Sequence, residues 1–173
     1  KLFRRGIGRN MAALSTKADW IWFTDCDIIF HQNCLDTLAD SLQGERGLLF
    51  FPEEEKITEM LKDDDPLLAT DAEPQVIDIN TENFSLYERD KSRDKARGPF
   101  QIVHADVARA IGYCDKLFMF QTESERWRKT YEDTAFRWLL GTDGEPKKVD
   151  GVFHIHHVTK GRYAENSRLS SMR

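Results

Sequence analysis

The stretch WIWFTDCDIIF, residues 20–30, joins an apolar run to two acids on alternate positions. Trp20, Ile21, Trp22 and Phe23 fit a strand buried on both faces between helix layers. Asp25 and Asp27 follow at once, and ionised carboxylates beside a core strand are costly unless something positive satisfies them. Alternation in an extended chain predicts both acid side chains on one side, with Cys26 turned away. Two carboxylates so placed repel each other unless a cation bridges them or one takes up a proton. A hard divalent metal with oxygen ligands, Mn²⁺ or Mg²⁺, meets that need and keeps positions open for substrate phosphates. Ligands of α/β sheets bind beyond the carboxyl ends of the strands, where these acids stand. The competing reading is an isolated D-x-D pair, a common pattern with no metal role.

Outward from this stretch, helices and strands alternate. Residues 7–17 carry Ile7, Met11 and Leu14 at helical spacing, and Asp19 marks a turn. Asn33 is placed to cap a helix bearing Leu35, Leu38 and Leu42, with Gly44 at its C′ position. GLLFFP, residues 47–52, reads as a second buried strand ended by Pro52. GPFQIVH, residues 98–104, gives a strand, and a short helix follows with Val107, Ala108 and Ile111 inward and Gly112 closing it. Residues 113–129 read as a loop. TYEDTAFRWLLG, residues 130–141, predicts a helix packing Phe136, Leu139 and Leu140 and ending at Gly141, and GVFHIHHV, residues 151–158, a late strand. This order predicts an α/β layered domain. One domain over 1–173 is expected, with a polar insertion at about 53–97. Within it, EEEKITEMLKDDD reads as a short surface helix, QVIDI as an edge strand and YERDKSRDKAR as a solvated loop. An acceptor-binding or lid segment is the functional reading of that insertion.

With 173 residues and 40% hydrophobic content, the chain can build a proper core. A net charge of −5 argues against a general nucleic-acid or membrane-surface binder. No apolar run approaches the roughly 20 residues that span a bilayer. Cys26, Cys34 and Cys114 are an odd number without zinc spacing and read as reduced thiols of a cytosolic protein. The start at Lys1, straight into a helical pattern, reads as that of a fragment.

Four stretches in order carry a family resemblance. GIGRNMAALSTKADWIWFTDCDIIF is similar to the middle of a GT-A fold glycosyltransferase, particularly family 2, through Arg9, Asn10, Ala13, Ala18, Asp19, Asp25 and Asp27. ARGPFQIVHADVARAIGYCD resembles the segment that crosses under the donor sugar, which places Gly98 there. YEDTAFRWLLG resembles the Glu-Asp motif and its helix, and VFHIHHVTKGRY the late strand whose His completes the metal site. The β-1,4-galactosyltransferases and polypeptide N-acetylgalactosaminyltransferases share this order. The resemblance implies a Rossmann-like, mixed-sheet nucleotide-diphospho-sugar transferase fold flanked by helices. Its opening P-x-Y-N and Asp-Asp-Gly-Ser segments have no match here, so the first strands of that fold are expected to be missing.

The resemblance also assigns roles. Asp27 would ligate Mn²⁺ or Mg²⁺ directly, and Asp25 would contact the ribose or reach the metal through water. His154 aligns best with the family's metal-binding His, with His156 and His157 as alternatives; alternation puts His154 and His156 on one face and His157 on the other. HIHH could instead suggest a zinc site, but no nearby Cys or acid supplies a third and fourth ligand at familiar spacing. Asp133 is the candidate general base, deprotonating the acceptor hydroxyl, and the helix dipole favours its ionised form. Its rival role is a capping box with Thr130. Glu132 would orient the acceptor. Arg9 would serve the nucleotide, and Lys160 and Arg162 would close over the diphosphate or form a solvated basic tail. Trp127 offers a platform for an acceptor sugar, or packs.

Together these imply a metal-dependent, inverting hexosyltransferase using a nucleotide sugar, a UDP-sugar on this pattern, and a carbohydrate or glycan acceptor. A nucleotidyl-sugar pyrophosphorylase shares the layout but would show a Gly-rich loop near its N-terminus. A non-catalytic glycan- or nucleotide-binding module derived from such an enzyme is the alternative from another class.

Overall fold

The computed structural model describes residues 5–62, 65, 80–88, 94–123 and 131–157. Trp127, Thr130, Lys160, Arg162 and the QVIDI stretch lie outside them. The architecture is mixed α/β. Helix α1 (Arg5–Ser15) leads into β1 (Trp20–Phe23), then β2 (Ile28–Phe30), α2 (Cys34–Ser41) and β3 (Phe50–Pro52). Strands β4 (Lys56–Ile57) and β5 (Ser85–Leu86) flank a 3₁₀ turn at Thr81–Asn83. The chain continues through β6 (Gln101–His104), α3 (Ala105–Ile111), α4 (Phe118–Gln121), α5 (Glu132–Leu140), β7 (Glu145–Lys147) and β8 (Val152–His154).

The single mixed sheet expected from the sequence is divided in two. One sheet runs β1-β6-β3-β7 and the other β2-β8-β4-β5. In the first, β6 pairs antiparallel with β1, Trp20 opposite His104 and Phe23 opposite Gln101, and antiparallel with β3. Strand β7 adds parallel to β3, its Pro146 tolerated because β7 ends the sheet. In the second, β8 lies between antiparallel β2 and parallel β4. The chain therefore switches sheets between Phe23 and Ile28, at the loop that carries both aspartates.

Phe50, Phe51, Phe100, Ile102, Val103, Tyr113 and Phe136 are buried against these layers. A fully buried apolar side chain of this size contributes roughly 1.5–3 kcal/mol. Tyr113 stacks on Phe136 with ring centroids 4.5 Å apart, and Phe23 meets Tyr113 at 4.6 Å. Gly112 and Gly141 close α3 and α5 with φ of 65° and 66°, conformations that suit glycine.

Several expectations are corrected. Helix α1 buries Gly6, Arg9, Asn10 and Ala13, whereas Met11 and Leu14 are exposed. Polar side chains win that face because they are paired there: Asn10 Nδ2 donates to Asp115, and its Oδ1 accepts from the Tyr113 backbone. Leu35 and Leu139 likewise face outward. Asn33 holds the N-cap position of α2 without a side-chain cap bond, and Gly44 falls two residues beyond the C-cap Leu42. Residues 53–62 form no helix, since the open side of β8 offers a ladder to Lys56–Ile57. Helix α4 interrupts the stretch read as a loop. Strand β8 ends at His154, so alternation does not govern His157.

Candidate functional site

The loop between β1 and β2 answers each aspartate separately. Strand geometry stops at Phe23 and a turn covers Cys26–Asp27, so the predicted one-sided alternation fails. Asp25 takes Arg5 Nη1 on both oxygens at 2.8 Å, and Arg9 Nη2 on Oδ1 at 2.9 Å. Two guanidiniums thus stand where a cation shared by both aspartates was expected. Arg5 was missed from the sequence; a lone Arg at a helix start has no local signature.

Arg9 faces inward and is buried. Its Nη1 donates to the Tyr113 hydroxyl at 2.9 Å and its Nη2 to the Thr24 carbonyl at 3.1 Å. Any effect of Arg9 on a nucleotide therefore passes through Asp25. Tyr113 donates onward to Gln101 Oε1 at 2.8 Å, and Gln101 Nε2 donates to the Asp133 carbonyl at 3.0 Å. One buried network ties the Asp25 support to the start of α5.

Asp133 sits in the first turn of α5, whose N-cap position belongs to Tyr131, with no side-chain cap bond. Its Oδ2 lies 3.9 Å from Arg137 Nη1. Glu132, in the same turn, is buried and accepts from Arg5 Nε at 3.1 Å. Gly98 joins this group: a Cβ built on it would lie 3.7 Å from Asp25 Oδ2, 3.8 Å from Arg5 Nη1 and 3.8 Å from Asp133 Oδ2. The structure thus brings Arg5, Asp25, Gly98, Glu132 and Asp133 together.

Asp27 belongs to a second group. Its Oδ2 is 3.6 Å from His154 Nε2 and 3.4 Å from His157 Nε2. The backbone fixes this meeting, because Ile155 N–H donates to the Asp27 carbonyl at 2.9 Å. His154 Nδ1 lies 3.2 Å from Glu55 Oε2, and Glu55 Oε1 forms a close ion pair with Arg97. Burial opposes charge on His154, but the carboxylates of Asp27 and Glu55 at its two ring nitrogens outweigh it and push its pKa up to about 9. Asp27 is held below the usual carboxylate range: burial opposes this, and the His154 contact overcomes it. His156 is held below the ordinary imidazole value by burial and by the charge of His154. Glu55 and Arg97 were also missed, lying 42 residues apart at the two ends of the polar stretch.

Among the described residues no group of three or more His, Cys, Asp or Glu side chains forms a ready metal cluster. Nonetheless Asp27 Oδ1 is buried without a hydrogen-bond partner, which is a costly state for a carboxylate oxygen. One oxygen donor with two imidazole nitrogens close by fits Mn²⁺ better than Mg²⁺, which prefers oxygen ligands. An open cleft of about 660 Å³ is lined by Tyr87, Leu86, Glu53, Glu54, Glu88 and Asp94, among others.

No family model, characterised protein or solved structure matches the chain. No helix among the described residues is long and apolar enough to cross a membrane.

Proposed function

We propose that the chain is the catalytic part of a metal-dependent, inverting GT-A glycosyltransferase that moves a hexose from a UDP-sugar to a carbohydrate or glycan acceptor. The observation that carries this reading is the meeting of Asp27 with His154 and His157, on the same loop as Asp25, which adjoins Gly98 and Asp133. Asp27 Oδ1 is buried without a hydrogen-bond partner, a state that a bound cation would relieve.

In this reading Asp27 and His154 would hold Mn²⁺, and His157, whose Nε2 also lies close to Asp27, would offer a further nitrogen. The bound cation would supply Lewis-acid stabilisation of charge on the departing diphosphate. Asp25, fixed by Arg5 and Arg9, presents its remaining acceptor capacity to the ribose. Asp133 takes the proton of the acceptor hydroxyl as that oxygen attacks the anomeric carbon, and the bond from that carbon to the diphosphate oxygen breaks with release of UDP. Glu132 acts through Arg5 and so steadies Asp25. The cleft at Tyr87 suits a glycan: its carboxylates would accept from sugar hydroxyls, and Tyr87 and Leu86 offer apolar surface. A cytosolic setting agrees with three unpaired thiols.

Paired substitutions test the assignment. Asp133→Asn keeps side-chain size but cannot take a proton, so turnover should fall by about 10² to 10⁴ while UDP-sugar binding persists. Asp27→Asn should lose donor affinity together with turnover. Near-normal turnover in Asp133→Asn, or loss of donor binding in step with activity, would make Asp133 a structural residue.

A further inference from the structure

We infer that Glu55 is the positioning residue for His154, and that Arg97 holds it in place. Glu55 is a carboxylate only 2% exposed, placed just before β4, and β4 runs beside the histidine strand with Lys56 opposite Phe153 and Ile57 opposite His154. The ladder therefore delivers the Glu55 side chain to one edge of the imidazole while Asp27 stands at the other. Burying a charged group costs several kcal/mol unless its partners are well placed. Here they are: Arg97 closes on Oε1, and its guanidinium lies 5.7 Å from the Tyr87 ring centroid and 5.5 Å from that of Phe100. The Tyr87 backbone N–H donates to the Glu55 carbonyl at 3.0 Å, tying the two flanks of the clamp together.

The chemical consequence concerns the proton on the ring. Carboxylates only accept, and one faces each ring nitrogen; Glu55 at 3.2 Å from Nδ1 is within hydrogen-bond reach and Asp27 at 3.6 Å from Nε2 is not, so the single hydrogen of the neutral ring is assigned to Nδ1. Neutral His154 then carries its proton on Nδ1, and the Nε2 lone pair faces Asp27. Carboxylates that orient a ligating imidazole in this way typically govern metal affinity by 10- to 100-fold. The polar stretch between β3 and β6 thus contributes to the site at both its ends, Glu55 at its start and Arg97 at its close. Glu55 and the proton position stand on geometry alone; only the effect on metal binding rests on the proposed function.

Two readouts on the protein carrying this chain test the inference. Ring-nitrogen NMR at alkaline pH, where the imidazole is neutral, reports which nitrogen of His154 holds the proton. Mn²⁺ titration, followed by electron paramagnetic resonance, reports affinity. The wild type should show the proton on Nδ1. Glu55→Leu should give mixed tautomers and Mn²⁺ binding weaker by about 10-fold or more. Glu55→Gln, which keeps an acceptor oxygen, should restore the Nδ1 tautomer and part of the affinity, a rescue that loss of packing would not produce. Should Glu55→Leu fail to fold, Arg97→Gln at a partly exposed side chain should shift the same two readouts in the same direction. A wild-type proton on Nε2, or an unchanged tautomer in folded Glu55→Leu, overturns the inference. If the wild type takes up no Mn²⁺, the metal reading fails, and the tautomer still decides the role of Glu55. If Asp27→Asn loses Mn²⁺ while Glu55→Leu binds as the wild type does, the metal reading stands and Glu55 is structural.

Discussion

Asp25 and Asp27 are two residues apart, yet they are neutralised by different groups: arginines of α1 for the first, imidazoles of β8 and of the segment just after it for the second. The separation has a use, because it leaves one carboxylate fixed and the other with a buried unpaired oxygen. Gly98 keeps open the space between Asp25 and Asp133. A methyl there would make ordinary contacts, so Gly98→Ala should be tolerated, whereas Gly98→Val should displace the carboxylates. We expect the valine variant to lose about 10- to 100-fold in kcat/KM with its melting temperature little changed; equal activity in both would remove Gly98 from the site. The cysteines give an independent check on the packing around Asp133. Burial, with Glu132 and Asp133 adding to it, pushes the Cys114 thiol up to about 12, and burial pushes Cys34 up to about 11. Since the thiolate is the reactive form, both should resist a thiol reagent at pH 8 and gain reactivity only as the pH climbs toward those values. Exposed Cys26 should react alone in the folded protein, and all three after denaturation. Rapid labelling of Cys114 in the native state would contradict the fold around α5.

Helix α1 shows which parts of an element can be read from its sequence. Its existence was legible from spacing, but its orientation was not, because Met11 and Leu14 suggested the wrong inner face. Pairing decides the matter: Asn10 satisfies the buried Tyr113 backbone N–H from 103 residues away, and no local pattern announces such a partner. Asn10→Ala should therefore cost about 1–3 kcal/mol, the penalty for an unsatisfied buried donor. Leu14→Lys, on the exposed face, should stay within about 0.5 kcal/mol. Urea unfolding distinguishes the two, and the reverse order would refute the described packing. The histidine strand repeats the lesson. Its position and the candidacy of His154 were legible, while the approach of His157 to Asp27 was not, since regular strand stops at His154 and His157 only bridges to Leu61. Residues 53–62 failed as a helix for a related reason: a short strand gains its stability from the neighbour it pairs with, and that neighbour lies nearly a hundred residues on.

Across the whole molecule, the alternation of helices and strands sufficed to establish a mixed α/β architecture. Division into two sheets did not show in the sequence: the described strands pass between the two sheets repeatedly, and the first passage, from β1 to β2, falls inside a four-residue loop, residues 24–27. That switch is what lets β1 deliver Asp25 to α1 and β2 deliver Asp27 to β8. The site thus lies where the two sheets hand over the chain, and the proposed transfer chemistry depends on both. UDP release from a panel of UDP-sugars should be followed with glycan acceptors present, in metal-stripped protein before and after Mn²⁺ is restored. Release that requires both acceptor and Mn²⁺, and that vanishes in Asp27→Asn, is the expected result. Acceptor-dependent release that persists unchanged after metal removal, or none with any sugar or acceptor, would contradict a metal-dependent glycosyltransferase.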